Sequence, residues 1–199
     1  MSFKRKLEFV NFNKLDEETL KLIWKWRTSS DIRTKMSDQR VFSLKEHMNF
    51  CSNLKDRKDV LFILVKCDDT PVGVLTYKDI DPIKHSCTTG CYFVNAPKNV
   101  SFMALKIMTW QLYEQEIYIY HTVVLKNNIQ ALLYNVLKGK NKIIKEDERY
   151  YYLEKDFSQF NAEANKEERE TVCRLLLNNE VIFNVLKRGA IMERDTLLV

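Results

Sequence analysis

The sequence predicts an α/β (α+β) fold: a mixed central sheet flanked by helices, with a helical extension at the C-terminal end. Three observations carry this. Runs rich in β-branched and aromatic residues alternate with stretches of helical periodicity from residue 7 to residue 155. The order strand, helix, strand across residues 86–125 requires a parallel strand pair joined by a crossover. From Asn161 the composition shifts to a highly charged segment, Glu163 to Glu170, followed by spaced apolar residues. The division is therefore a domain over residues 1–160 and a helical extension over 161–199.

Taken in order, Leu7 to Phe12 reads as the first strand. Asp16 is positioned to cap a helix whose first turn carries Glu17 and Glu18, carboxylates favoured beside the positive end of a helix dipole. Leu20, Ile23, Trp24 and Arg27 share one face of it. Ser43-x-x-Glu46 is a capping box that opens a second helix carrying Met48, Phe50, Cys51 and Leu54. Leu61–Lys66 and Pro71–Tyr77 flank Cys67-Asp68-Asp69-Thr70, polar residues suited to a hairpin turn, and Gly73 marks a bulge or a close backbone approach. Ser86 to Val94 is a further strand. Ser101 to Glu116 is helical by its Phe102, Leu105, Met108, Leu112 stripe, and Ile117 to Leu125 is a strand. Ile129, Leu132, Leu133, Val136 and Leu137 keep the i, i+3, i+4, i+7, i+8 spacing of an amphipathic helix. Ile143-Ile144 and Tyr150–Lys155 close the sheet. Beyond it, Val172, Leu175, Leu176, Ile182 and Leu186 suggest one long helix or two short ones.

The chain has 199 residues, 45% of them hydrophobic and 30% charged, the balance of a globular protein, and no apolar run approaches the ~20 residues that span a bilayer. No apolar signal-peptide segment follows Met1, so the expectation is a cytoplasmic protein with no membrane partner. Five cysteines without a Cys-x-x-Cys pair fit free thiols better than a disulfide framework. His85, Cys87 and Cys91 tempt a zinc reading, but strand residues four apart lie about 13 Å from one another at ~3.3 Å per residue, so no metal is expected. A net charge of +5, spread rather than striped, favours an anionic ligand such as a nucleotide and does not call for nucleic acid. A homodimer is left open.

The element order, together with Leu15, Glu18, Trp26-Arg27, Asp31-Ile32, Met36, Glu46-His47, Phe50, Leu54, Phe62, Val65, Gly73-Val74, Gly90, Tyr92, Pro97, Lys98 and Leu133-Tyr134, resembles the GCN5-related N-acetyltransferase (GNAT) superfamily. Within it the likeness is to the N-acetyltransferases of pseudaminic acid biosynthesis, which acetylate the 4-amino group of a UDP-linked amino sugar destined for flagellin. It covers residues 7–157. The resemblance implies acetyl-coenzyme A as co-substrate, held by Phe93, Val94, Lys98, Asn99, Val100, Ser101, Phe102 and Asn127. The usual glycine-rich loop is replaced by Lys98-Asn99-Val100-Ser101. Asn tolerates left-handed backbone, Ser101 is available as the helix cap, and Lys98 adds charge, although Asn99 and Ser101 as plain helix caps stay open. Tyr134 is implied as the acid that protonates the departing thiolate, with a tyrosine merely packed at a helix edge as the alternative. Anchoring the donor motif on Tyr134 selects Asn127, whereas anchoring on Ala131 selects Asn128; the Tyr134 anchor is preferred.

For the acceptor, Arg27, His47, Tyr77, Lys78 and Tyr92 are the candidates: Arg27 for a diphosphate, the tyrosines for stacking on uracil. His47 orients the sugar or accepts its proton, or is satisfied structurally within its helix. Backbone N–H groups at a bulge over Tyr92-Phe93-Val94 would stabilise the developing oxyanion. No acidic residue in the strand before Leu125 stands out as a base. Other readings are acetylation of a different amine, and a catalytically silent relative that binds a partner.

Overall fold

The computed structural model describes residues 4–158 and 162–185. β1 (Lys6–Asn11) leads through a short 3₁₀ turn to α1 (Glu17–Thr28), capped as expected by Asp16, whose Oδ1 accepts from the Thr19 amide at 2.8 Å. A single helical turn, α2 (Ser30–Arg33), precedes α3 (Leu44–Asn53). The capping box there is complete: Ser43 Oγ accepts from the Glu46 amide, and Glu46 accepts from that of Ser43.

β2 (Leu61–Cys67) and β3 (Thr70–Asp81) form a hairpin across Asp68 and Asp69, whose φ values of 50° and 64° are those of a type I′ turn. Aspartate tolerates this left-handed geometry better than most residues, and the Asp68 side chain ties the turn to the neighbouring strand by accepting from the Lys6 amide of β1 at 2.9 Å. Both alternatives raised for Gly73 are realised. A register shift lies at Val65/Lys66 opposite it, and the Phe93 ring packs so close that a Cβ on Gly73 would stand 2.4 Å from Phe93 Cδ1.

β4 (Ser86–Phe93), α4 (Val100–Tyr113) and β5 (Ile119–Leu125) make the expected right-order crossover, with β4 and β5 parallel. α5 (Ile129–Leu133) passes into a π turn over Tyr134–Lys138, closed by the Gly139 amide on the Tyr134 carbonyl at 2.9 Å, and then into β6 (Lys142–Glu146) and β7 (Tyr150–Asp156). The apolar stripe of this helix does not enter the core as its spacing suggests: Ile129, Leu133 and Leu137 are all more than half exposed.

α6 (Ala162–Asn178) supplies the helix expected in the extension and packs on α4, with Val172 buried. Ile182, expected in a helix, lies instead in a strand, β8 (Glu180–Asn184), because this segment finds an open sheet edge. β8 pairs in parallel with β1, and Phe183 stacks on Phe9. Leu186 falls outside the described residues.

The strand order is β6-β7-β5-β4-β3-β2-β1-β8. Alternation along each strand divides the sheet into two faces. α4 and α6 cover the face built from Phe9, Ile63, Leu75, Tyr77, Cys87 and Tyr120, a core that also buries Ile107, Met108 and Leu112. α1 and α3 cover the other, where Val10, Leu64 and Val74 meet Leu20, Ile23, Cys51 and Leu54. Each such side chain is worth ~1.5–3 kcal/mol when fully buried.

Candidate active site

β4 and β5 run side by side only at their first residues. Their register extends from Ser86–Ile119 to Thr89–Thr122 and stops, although both strands continue. In the antiparallel ladder between β3 and β4, alternate residues turn their amides to the neighbour, and Val94 N–H on Val72 O at 2.8 Å sets the phase. The intervening residues, Cys91 and Phe93, therefore direct their N–H and C=O groups toward β5, where no partner strand remains. The register over Tyr92 and Phe93 is regular, so the expected bulge is absent; the opening of the two strands exposes the backbone donors instead.

A cavity of about 260 Å³ occupies this wedge and reaches both faces of the sheet. On one face it is bounded by Phe102, Leu105 and Lys106 of α4 and by Tyr134 and Asn135. On the other it meets Lys35, Met36 and Ser37 in the loop after α2, with Lys78 and Thr88 from the sheet. Thr89 closes the vertex: its hydroxyl lies 2.8 Å from the Thr122 hydroxyl and 3.3 Å from the His121 carbonyl.

Tyr134 stands on the cavity wall where the helix passes into its π turn, a distortion that frequently accompanies functional sites. Burial, with the Cys91 thiol beside it as a lesser cause, raises the phenol above its ordinary value, so it holds its proton at neutral pH. Asn128, not Asn127, lines the cavity. Its Oδ1 caps α5 by accepting from the Ala131 amide at 3.2 Å, and its Nδ2 reaches the Lys35 carbonyl at 3.5 Å. Asn127 is exposed.

At the start of α4, Asn99 has φ 69°, the left-handed geometry expected of it, while no side chain caps the helix. Ser101 lies inside the helix and is not its cap. The Val100 amide is taken by Pro97 O and that of Met103 by Asn99 O. This leaves the Ser101 and Phe102 amides at an open, positively polarised helix end, with exposed Lys98 nearby. Of the residues expected to hold the donor, only Phe102 also lines the cavity; Val100 is fully buried, and Phe93 is spent packing on Gly73.

The acceptor candidates separate. Lys78 reaches the cavity mouth. His47 does not: it is 5% exposed, its Nε2 lies 3.0 Å from Leu20 O and 3.5 Å from Cys51 Sγ, and burial lowers its basicity. It joins α3 to α1. Tyr77 is 2% exposed, so its ring has no face for a base; its buried hydroxyl borders the cavity without a protein partner. Arg27 donates to Asp38 O at 2.5 Å and lies over the Phe42 ring, with Tyr92 and Arg33 close by. Arg33 donates to Gln39 O at 3.0 Å. The two guanidiniums thus hold the loop that carries Lys35–Ser37 to the cavity.

Sequence reasoning missed Thr89, Thr122 and Cys91, whose significance depends on where two strands part. It also missed a buried charge cluster: Lys106 and Lys155 flank Glu168 at 2.5 and 3.3 Å on the α4 side of the cavity. Glu168 belongs to α6, and among the described residues it is the only carboxylate lining this cavity. Among the described residues no three His, Cys, Asp or Glu side chains gather to hold a metal, and no helix is long and apolar enough to cross a membrane.

No protein-family model matches the chain. The chain is similar to acetyltransferase PseH of Campylobacter jejuni, 29% identical over 159 residues that cover 74% of this chain and 92% of that protein. The crystal structure of the Campylobacter jejuni N-acetyltransferase PseH in complex with acetyl coenzyme A superposes with a TM-score of 0.60 at 25% identity, covering 76% of this chain and 99% of that one. Apo FdhC, described as a nucleotide-linked sugar GNAT, gives a TM-score of 0.67 at 18% identity over 88% of this chain and 98% of its own. The fold is that of the GNAT enzymes.

Proposed function

We propose that this chain, a GNAT-fold N-acetyltransferase using acetyl-coenzyme A and resembling PseH, acetylates the 4-amino group of a UDP-linked amino sugar in pseudaminic acid biosynthesis. The observation that carries the reading is the open wedge between β4 and β5, which joins two faces of the sheet through one cavity with Tyr134 on its wall. A thioester donor entering from the α4 side and an amine from the loop side would meet in this cavity.

The residues present suit the donor. The open end of α4 offers the Ser101 and Phe102 amides to a pyrophosphate, with Lys98 adding charge. The unpaired amides of Cys91 and Phe93 lie along the wedge as donors for the pantetheine arm and for the oxygen that gains charge as the amine attacks. Tyr134 gives its proton to the departing sulfur, and burial keeps that proton in place beforehand. Lys35 and Lys78 put two positive charges at the acceptor mouth, which suits the diphosphate of a nucleotide sugar. Arg27 serves this reading as a positioning residue for the loop.

The test is thiol release from acetyl-coenzyme A with a UDP-linked 4-amino sugar as acceptor. Turnover with that sugar, and none with the matching 4-hydroxy sugar, supports the proposal. Preference for a peptide amine would overturn the substrate while leaving the acetyltransferase intact.

A further inference from the structure

A ternary mechanism needs a group to take a proton from the acceptor, which at neutral pH arrives as an ammonium ion. The cavity offers none directly: its sole carboxylate among the described residues, Glu168, is held between Lys106 and Lys155 on the donor side. Just below the wedge, on the acceptor face, lies a different pair. His121 is in register with Thr88, which lines the cavity, and with Glu154 on β7. Its Nδ1 stands 3.7 Å from Glu154 Oε2, with the two side chains 42% and 33% exposed. Two residues on, about 7 Å along the strand, Val123 lines the cavity on the same face. The Thr89 hydroxyl on the His121 carbonyl fixes the backbone at this point.

We infer that His121, with Glu154 at ion-pair distance from its Nδ1, is the general base for the acceptor amine, reaching it from Nε2 through one water molecule. The inference rests on the acetyltransferase reading. In the balanced sequence, one ammonium proton passes through the water to His121, leaving a neutral amine. Its lone pair forms the C–N bond as the C–S bond breaks, Tyr134 protonates the sulfur, and the surplus proton on the new amide nitrogen returns to the Tyr134 oxygen. His121 then releases its proton to solvent. Glu154, at ion-pair distance from Nδ1, stabilises the imidazolium that forms. Charged side chains on the same face of the sheet are Lys142 of β6, in register with Glu154, Lys78 of β3, in register with Thr88, and Asp156, two residues from Glu154 on β7, while Lys35 of the loop lines the cavity.

The experiment compares kcat/KM against pH for the wild type, His121→Gln and Glu154→Gln. The inference expects a 10- to 1000-fold loss for His121→Gln with donor affinity unchanged, disappearance of the acidic limb of the profile, and partial rescue by added imidazole. Glu154→Gln should retain the limb and move it to lower pH, because the imidazolium loses the negative charge beside it; a limb that stays in place or moves to higher pH overturns the pairing. A wild-type enzyme that transfers acetyl normally while His121→Gln keeps its rate and profile overturns the base and leaves the function standing. Failure of the wild type to transfer acetyl to any amine, nucleotide-linked or peptide, overturns both.

Discussion

The Thr89 and Thr122 hydroxyls lie 2.8 Å apart at the last paired position of β4 and β5. Everything assigned to the site depends on the strands parting beyond this contact. Below it the sheet is continuous and packed; above it Cys91 lines a cavity, and the amides of Cys91 and Phe93 point toward the side from which β5 has parted. Thr89→Val keeps the side-chain shape and removes the bond to Thr122 and that to the His121 carbonyl. The expected cost is about 1–3 kcal/mol of unfolding free energy by urea titration, two ordinary hydrogen bonds' worth.

Tyr134→Phe keeps the ring and its packing and removes the proton donor. Turnover should fall ten- to a thousandfold with donor affinity and melting temperature unchanged, measured by steady-state rates and calorimetry. An unchanged turnover number with chemistry rate-limiting would leave thiolate departure to solvent.

Asn99 holds left-handed backbone at the mouth of α4. Asn99→Gly should retain donor affinity, because glycine adopts the same φ freely, whereas Asn99→Val should weaken acetyl-coenzyme A at least tenfold by twisting the amides away. Equal affinities for the two variants would remove this helix end from donor binding.

The Lys106–Glu168–Lys155 cluster has a pH signature. Burial, outweighing the attraction of Glu168, pushes the Lys155 ammonium down to about 8. The unfolded chain then binds more protons than the folded one between about pH 8 and the ordinary lysine value of ~10.4, so stability contributed by this group rises with pH across that window. Urea unfolding should show the rise in the wild type and lose it in Lys155→Met. An identical pH dependence in both would contradict the assignment.

The fold was legible because its signals are local: Asp16, the Ser43–Glu46 box, the Asp68-Asp69 turn and the strand runs each rest on residues adjacent in sequence. Tyr134 stands on the cavity wall, where the family resemblance and not its own helix had pointed, and Asn99 has the left-handed backbone its residue type allows. His47 and Tyr77 sit at plausible positions, yet packing against Leu20 and the α4-side core decides against them, and that information is long-range. Asn128 was within reach, since one of two anchors selected it. Glu168 was not, because α6 reaches the cavity only after the chain has closed the sheet. Ile182 was read at helical spacing when its partner, β1, lies at the far end of the chain.

A crystal structure of the protein soaked in acetyl-coenzyme A would show whether the wedge between β4 and β5 holds the donor. The pantetheine arm is expected between Cys91–Phe93 and β5, the pyrophosphate over the Ser101 and Phe102 amides, and the thioester sulfur within hydrogen-bond reach of the Tyr134 hydroxyl. Donor density elsewhere on the protein, with the wedge filled only by solvent, would contradict it.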